Sequence, residues 1–173
     1  MHTAAKTHQE KATAAAAELQ IPFHRASVGE EEVQAVSEVI RSGWLTMGPK
    51  TIEFESEFAR YIGVEHAIAV SSCTAALHLA LEAAGVSPGD EVLVPTTTFT
   101  ATAEVVTYLG ARPVLVDVDA QTLNLDPADA VRRITPRTRA IIPVHFAGQP
   151  CEDTFAVKIL HCRVSSVFTQ SLS

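Results

Sequence analysis

This chain of 173 residues offers little from which to build a disulfide framework, a basic surface or a membrane anchor. Its three cysteines, at 73, 151 and 162, are odd in number and have no framework spacing, which suits a reducing compartment. Thirteen lysines and arginines stand against twenty carboxylates, for a formal charge of −7. That balance argues against a nucleic-acid groove or an anionic membrane surface as partner, since both call for a basic face. No uninterrupted apolar run approaches the length of a membrane span. The opening "MHTAAKTHQEKATAAAAELQ" scatters charges where a secretory signal needs an apolar core. Repeats of solenoid length are missing, and so is a GxGxxG turn, which disfavours a dinucleotide. Cys151, His161 and Cys162 lack zinc-site spacing, so no metal site is expected. The expectation is a soluble, cytoplasmic protein.

What is present is apolar content, 47% of residues, enough for one domain with a real core. Residues 1–20 read as an Ala-rich leader. "IPFHRASVGEEEVQAVSEVIRSG" places Val33, Val36 and Ile40 at helical spacing behind an acidic first turn and predicts a helix ending at Gly43. "GWLTMGP" reads as a loop. "KTIEFESEFARYIG" sets Ile52, Phe54, Phe58, Tyr61 and Ile62 on one broad helical face ending at Gly63. After that the pattern alternates. Strands are expected at 67–71, 91–95, 113–118 and 140–145, with helices over "TAALHLALEAAG", "ATAEVVTYLG" and "DPADAVRRI". The last helix opens with Asp126 as cap and Pro127 at the first helical position. Apolar strands alternating with helices predict an α/β fold: a mostly parallel sheet covered on both faces.

In such sheets ligands bind beyond the carboxyl ends of the strands. There the sequence places Ser71-Ser72-Cys73-Thr74-Ala75, Pro95-Thr96-Thr97-Thr98-Phe99, Asp117-Val118-Asp119 and His145-Phe146-Ala147-Gly148. The first group runs into a helix N-terminus, where free N–H groups and the helix dipole attract an anion. Ser72 and Thr74 could add hydroxyls to the Thr74 and Ala75 amides. Two readings stand: a tight turn capped by Thr74, or a seat for a single phosphate. Phe99 likewise reads either as core or as a plate for a flat ring. A phosphate seat and an aromatic plate together describe a site for a phosphorylated planar cofactor.

The stretches "GWLTMGPKTIEFESEFARYIG", "AIAVSSCTAALHLALEAAGVSPGDEVLVPTTTFTATAEVV", "GARPVLVDVDAQTLNLDP" and "ITPRTRAIIPVHFAGQPC" resemble, in order and spacing, the DegT/DnrJ/EryC1/StrS family of pyridoxal-phosphate-dependent sugar aminotransferases. The resemblance runs from about Ile21 to Cys151. It implies a type I aminotransferase fold, here the N-terminal part of its large domain, and a homodimer. It implies pyridoxal 5'-phosphate as cofactor, and transfer of an amino group from an amino acid such as glutamate to a nucleotide-linked keto-sugar. By the same resemblance Thr74 and Ala75 bind the cofactor phosphate, with Ser72 beside them, and Phe99 stacks on the ring. Trp44 and Thr46 of the "GWLT" loop belong to the substrate side. Cys73 stands where many relatives have glycine.

Two groups that the chemistry requires lie, in the family, beyond "VHFAGQPC": a carboxylate that keeps the pyridine nitrogen protonated, and a Schiff-base lysine. After Cys151 the chain reads "EDTFAVKILHCRVSSVFTQSLS", and residues 152–173 look divergent. Lys158 is the one lysine after Lys50 and lacks the family's context, so no catalytic residue is assigned and the chain is not expected to transaminate alone. Asp117 and Asp119 read as loop caps, and His145 as a satisfied structural histidine. Two other readings stay open, a non-catalytic module for phosphate ligands or a partner, and a sugar dehydratase of the same superfamily.

Overall fold

The computed structural model describes residues 25–151, together with the backbone of residues 166–167 and 170–172. The leader expected over residues 1–20, and Lys158, His161 and Cys162, lie outside the described residues. The chain divides into two units, at Ala67/Ile68.

In the first unit, α1 (Glu30–Ser42) and α2 (Pro49–Ile62) form where the sequence predicts them. The Glu32 carboxylate accepts the Gly29 N–H at 2.6 Å, closing the first turn of α1. Each helix stops at a left-handed glycine, Gly43 (φ 73°) and Gly63 (φ 81°), where a side chain would be strained. The predicted apolar faces are there but uncovered: Ile40, Ile52, Phe54 and Tyr61 are all exposed.

The second unit holds α3 (Cys73–Ala83), β1 (Glu91–Pro95), α4 (Ala101–Tyr108), β2 (Arg112–Val116), α5 (Pro127–Arg133) and β3 (Thr138–Ile141). Then come β4 (Val144–Phe146), β5 (Ser166–Val167) and β6 (Gln170–Leu172). The main sheet is parallel with strand order β2-β1-β3-β5, and β4 pairs with β6 in a separate parallel ladder. β1 is buried along its whole length, as a central strand covered on both faces must be. Its side chains alternate between two cores. Val92 and Val94 pack with Leu77 and Leu81 of α3 and Val105 and Val106 of α4. Leu93 packs on the opposite side with Val116, Ile141 and Ala130 of α5. The expected α/β architecture is therefore observed.

Two strand expectations need correction. Residues 67–71 form no strand, and Ile68 is exposed; a strand exists only through ladder pairing, and no described strand pairs with this segment. The strand expected over 140–145 is broken into β3 and β4 by Pro143, which has no N–H to give to a ladder. The far side of β3 is not an open edge, because β5 pairs with it there.

The topology locates a cleft. From β1 the chain crosses through α4 to β2 on one side, then returns through α5 to β3 on the other. The strand order thus reverses between β1 and β3, the position beyond whose carboxyl ends open α/β sheets hold ligands. The last rung between the two strands is Ile142 N–H to Leu93 C=O, 2.9 Å. Past it they part: Thr96 N–H turns to Val116 C=O on the β2 side (2.9 Å), while β4 goes to pair with β6.

Candidate functional site

The helix α3 leads into β1 through a short turn at its far end. It spans about 16 Å at 1.5 Å per residue, close to the roughly 17 Å of a five-residue strand. Its N-terminus therefore lies at the carboxyl edge of the sheet. Ser72 is the cap: its Oγ accepts the Ala75 N–H at 3.1 Å, and its carbonyl accepts the Ala76 N–H at 3.0 Å. Thr74, expected as either cap or phosphate ligand, is thus not the cap. Among the described residues, the N–H groups of Cys73 and Thr74 have no partner. They are two of the orphan donors every helix start carries. The Ala75 N–H is already held by Ser72, so a ligand reaches it only by sharing or displacing that bond.

Phe99 lies in the loop after β1, at the same edge, and is 63% exposed. It is not a core residue. The loop is stiffened from below: Thr98 and Thr102 share a hydroxyl hydrogen bond of 2.7 Å, Thr102 is fully buried, and the Thr102 N–H donates to Phe99 C=O at 3.0 Å. The edge thus presents a flat ring on a braced loop and free amides at a helix start. The residues present fit a phosphate-bearing planar cofactor.

The third wall is the segment after β4. His145 Nδ1 accepts the Cys151 N–H at 3.0 Å, and the Cys151 thiol donates to Val144 C=O at 3.4 Å. Burial pushes that thiol's pKa up, so it is a poor nucleophile. Asn124, nearly buried, clamps the same segment from the chain after β2. It accepts the Phe146 N–H (2.9 Å) and donates to the carbonyls of Gln149 (3.1 Å) and Pro150 (3.2 Å). On either side of this clamp sit two non-glycine residues in the left-handed region, Leu123 (φ 58°) and Ala147 (φ 50°). Asp119 caps the preceding loop by accepting the N–H groups of Gln121 and Thr122, both at 2.9 Å. These bonds hold its carboxyl below the usual range. Asp119 and Asp117 are structural, as their sequence context suggests.

In the first unit Trp44 donates its indole N–H to Met47 C=O at 2.7 Å. A Cβ on Gly48 would collide with the Trp44 indole, so the ring rests where only glycine leaves room. A cavity of about 380 Å³ opens beside it, lined by Trp44, Thr46, Lys50, Glu38 and Val39 among others. Trp44 and Thr46 thus share one pocket, while Ser72, Thr74, Ala75 and Phe99 belong to the second unit.

Sequence reasoning missed Asn124, Cys73 as an amide donor, and Glu91. A cap at Ser72 would itself have made Cys73 the first helical residue. A carboxylate opening an apolar strand is a visible signal at Glu91. Asn124 gave none, because its partners lie more than twenty residues away.

Residues 26–163 match the model of the DegT/DnrJ/EryC1/StrS aminotransferase family. The chain is 51% identical over 132 residues to the spore coat polysaccharide biosynthesis protein SpsC of Bacillus subtilis (strain 168), covering 76% of this chain and 34% of the relative. Among solved structures it resembles the PLP-form of Spr1654 from Streptococcus pneumoniae, at 41% identity and a TM-score of 0.77, covering 80% of this chain and 36% of that one. It also resembles the E. coli GDP-4-keto-6-deoxy-D-mannose-3-dehydratase with bound hydrated PLP, at 28% identity and 0.80, covering 87% and 40%. The chain spans about a third of the length of the curated relative it matches.

Proposed function

The chain belongs to the DegT/DnrJ/EryC1/StrS aminotransferase family, and on that premise we propose that it carries the phosphate-binding and ring-stacking half of a pyridoxal-phosphate site. The activity this serves is transfer of an amino group from an amino acid such as glutamate to a nucleotide-linked keto-sugar. One observation carries the reading: the amides of Cys73 and Thr74, without a partner among the described residues, start the helix at the carboxyl edge of the sheet, the edge that also carries Phe99, exposed on the loop after β1. Two backbone donors and a helix dipole hold a phosphate without a cation, which agrees with a chain of net negative charge. When bound, pyridoxal phosphate supplies the electron sink for moving an amino group between carbon centres. The residues here bind and orient: Thr74 and Cys73 take the phosphate, Ser72 and Ala75 shape the turn, and Phe99 fixes the ring plane. Within the first unit, Trp44 and Thr46 are the substrate-contacting residues of this proposal, Trp44 offering a face for a sugar or base. The working protein is a cytoplasmic homodimer.

A sugar dehydratase is the second reading, favoured by the resemblance to the E. coli dehydratase. Both readings share the phosphate seat and differ in the group beyond it, a Schiff-base lysine in the aminotransferase and a replacement for it in the dehydratase. The seat itself is tested by titrating the chain with pyridoxal phosphate and with pyridoxal. The phosphorylated form should bind at least tenfold tighter. Thr74→Pro, which removes one N–H at a position where proline is compatible with a helix start, should erase most of that preference. Phe99→Ala should weaken both ligands alike, by roughly 1 kcal/mol. Equal binding of the two ligands by the unaltered chain would refute the seat.

A further inference from the structure

The hydrogen bonds after β4 fix more than a loop. His145 Nδ1 accepts the Cys151 N–H at 3.0 Å, and a ring nitrogen that accepts carries no proton. The neutral imidazole therefore has its proton on Nε2, for which no acceptor exists among the described residues. The hydrogen bond thus makes the ring an Nε2–H donor, half-exposed.

Its place in the fold gives that donor a direction of use. β1 and β3 are paired with Leu93 opposite Ile141. His145 lies four residues past Ile141 on the continuation of β3, and Thr97 four residues past Leu93 on that of β1, both beyond the last rung, where the two strands have parted. His145 thus stands on the β3 side of the cleft whose β1 side is the loop carrying Phe99. The backbone around it is over-determined. Asn124 makes three hydrogen bonds to residues 146–150, and Gly148 N–H returns to His145 C=O at 3.1 Å. Ala147 is held at φ 50° between them. Left-handed non-glycine residues persist where surrounding contacts enforce them, and they cluster at ligand sites. A histidine needed only to accept one amide would not require that bracing.

We infer that His145 is a ligand-binding residue, donating its Nε2–H to an oxygen acceptor of the phosphorylated planar ligand in the cleft, with Asn124 as the residue that positions it. The inference rests on the pyridoxal-phosphate reading given above. It assigns no proton transfer to His145, because a ring whose Nδ1 is already engaged by an amide serves as a fixed donor.

Two substitutions separate this role from a structural one. Glutamine places an amide N–H donor near the imidazole Nε2 position, whereas asparagine places its oxygen near Nδ1, where it can still accept the Cys151 N–H. The full chain and its His145→Gln, His145→Asn and His145→Ala variants are titrated with pyridoxal phosphate and with pyridoxal. Nitrogen-15 imidazole spectra of the unaltered chain are recorded before and after saturation with pyridoxal phosphate. The expected result is near-native affinity for His145→Gln and roughly tenfold loss for His145→Asn and His145→Ala, the scale of one hydrogen bond. The His145 signal should show a protonated Nε2 that shifts on saturation. Native affinity in His145→Asn with loss in His145→Gln would make the ring only a loop anchor and overturn the inference. Equal affinity across all four chains, or a proton on Nδ1, would overturn it as well. An unaltered chain that does not discriminate pyridoxal phosphate from pyridoxal would fail the phosphate seat itself, and the inference with it.

Discussion

Single residues at the carboxyl edge trade stability for shape. Ser72 uses its hydroxyl to satisfy Ala75, leaving the first two amides of α3 open, and Ala147 occupies a conformation that disfavours any side chain. The left-handed region costs an L-residue roughly 1–2 kcal/mol, while glycine gives back part of that gain as extra unfolded-state freedom. Ala147→Gly should therefore stabilise the chain by roughly 0.5–1 kcal/mol, read as a higher urea midpoint at unchanged slope. A lower midpoint would mean that the alanine methyl makes contacts worth more than the strain. Neither Ala147 nor Leu123 announces its φ in the sequence. Ala147 lies between residues that Asn124 clamps from more than twenty positions away, and Leu123 closes a loop by giving its N–H to Asp119 C=O.

Elements were legible where the signal was local. The Asp126-Pro127 start of α5 is as read, with the Asp126 carboxylate accepting the Ala128 N–H at 2.8 Å. The glycine stops of α1 and α2 also hold. What failed was pairing, which depends on neighbours: residues 67–71 have strand composition without a strand, and Pro143 divides one apolar run between two ladders. The joints between elements were equally hidden. Glu91, buried at the start of β1, accepts from Arg112 of β2 (2.7 Å), from Thr135 (2.7 Å) and from Arg137 (2.6 Å) before β3. Arg112 above all, then Thr135 and Arg137, lower its pKa to about 2 against the opposition of burial. Asp129 of α5 is likewise held at about 2, first by the Asp117 N–H and then by Arg133 and Arg132. Folded values below the unfolded ones mean that this stability is present above about pH 4.5 and is lost as pH falls through that value toward 2. Glu91→Gln should cost on the order of 2 kcal/mol at neutral pH. It should also flatten the fall in stability between pH 4.5 and 2, followed by urea midpoints at several pH values. An unchanged acid slope would show that Glu91 does not anchor the three strands.

At the scale of the whole chain, the two units differ in how much each buries. Around β1 the second unit has two cores, with Leu81, Val92, Val94, Val105 and Ile141 fully excluded from solvent. In the first unit, Gly48 and Ala59 are the buried residues among those described, while Val36, Ile40, Phe54 and Tyr61 lie open. Helices of thirteen and fourteen residues are marginal without a packed face. Propensity and caps at Gly29, Gly43 and Gly63 supply part of their stability, but local opening follows from few buried apolar contacts. Amide exchange on the isolated chain, followed by mass spectrometry at low concentration, should show two levels. Peptides from α1 and α2 should exchange close to the rate of an unstructured chain, and those from β1, β3 and α4 should be protected up to the limit set by global unfolding. Mutations then sort by unit: Val105→Ala should lower the thermal midpoint through lost core volume, whereas Val36→Ala should leave it nearly unmoved. Protection of α1 and α2 equal to that of β1 would mean that their apolar faces are covered in solution, and that Ile40 and Phe54 contribute to a core as much as Val92 does.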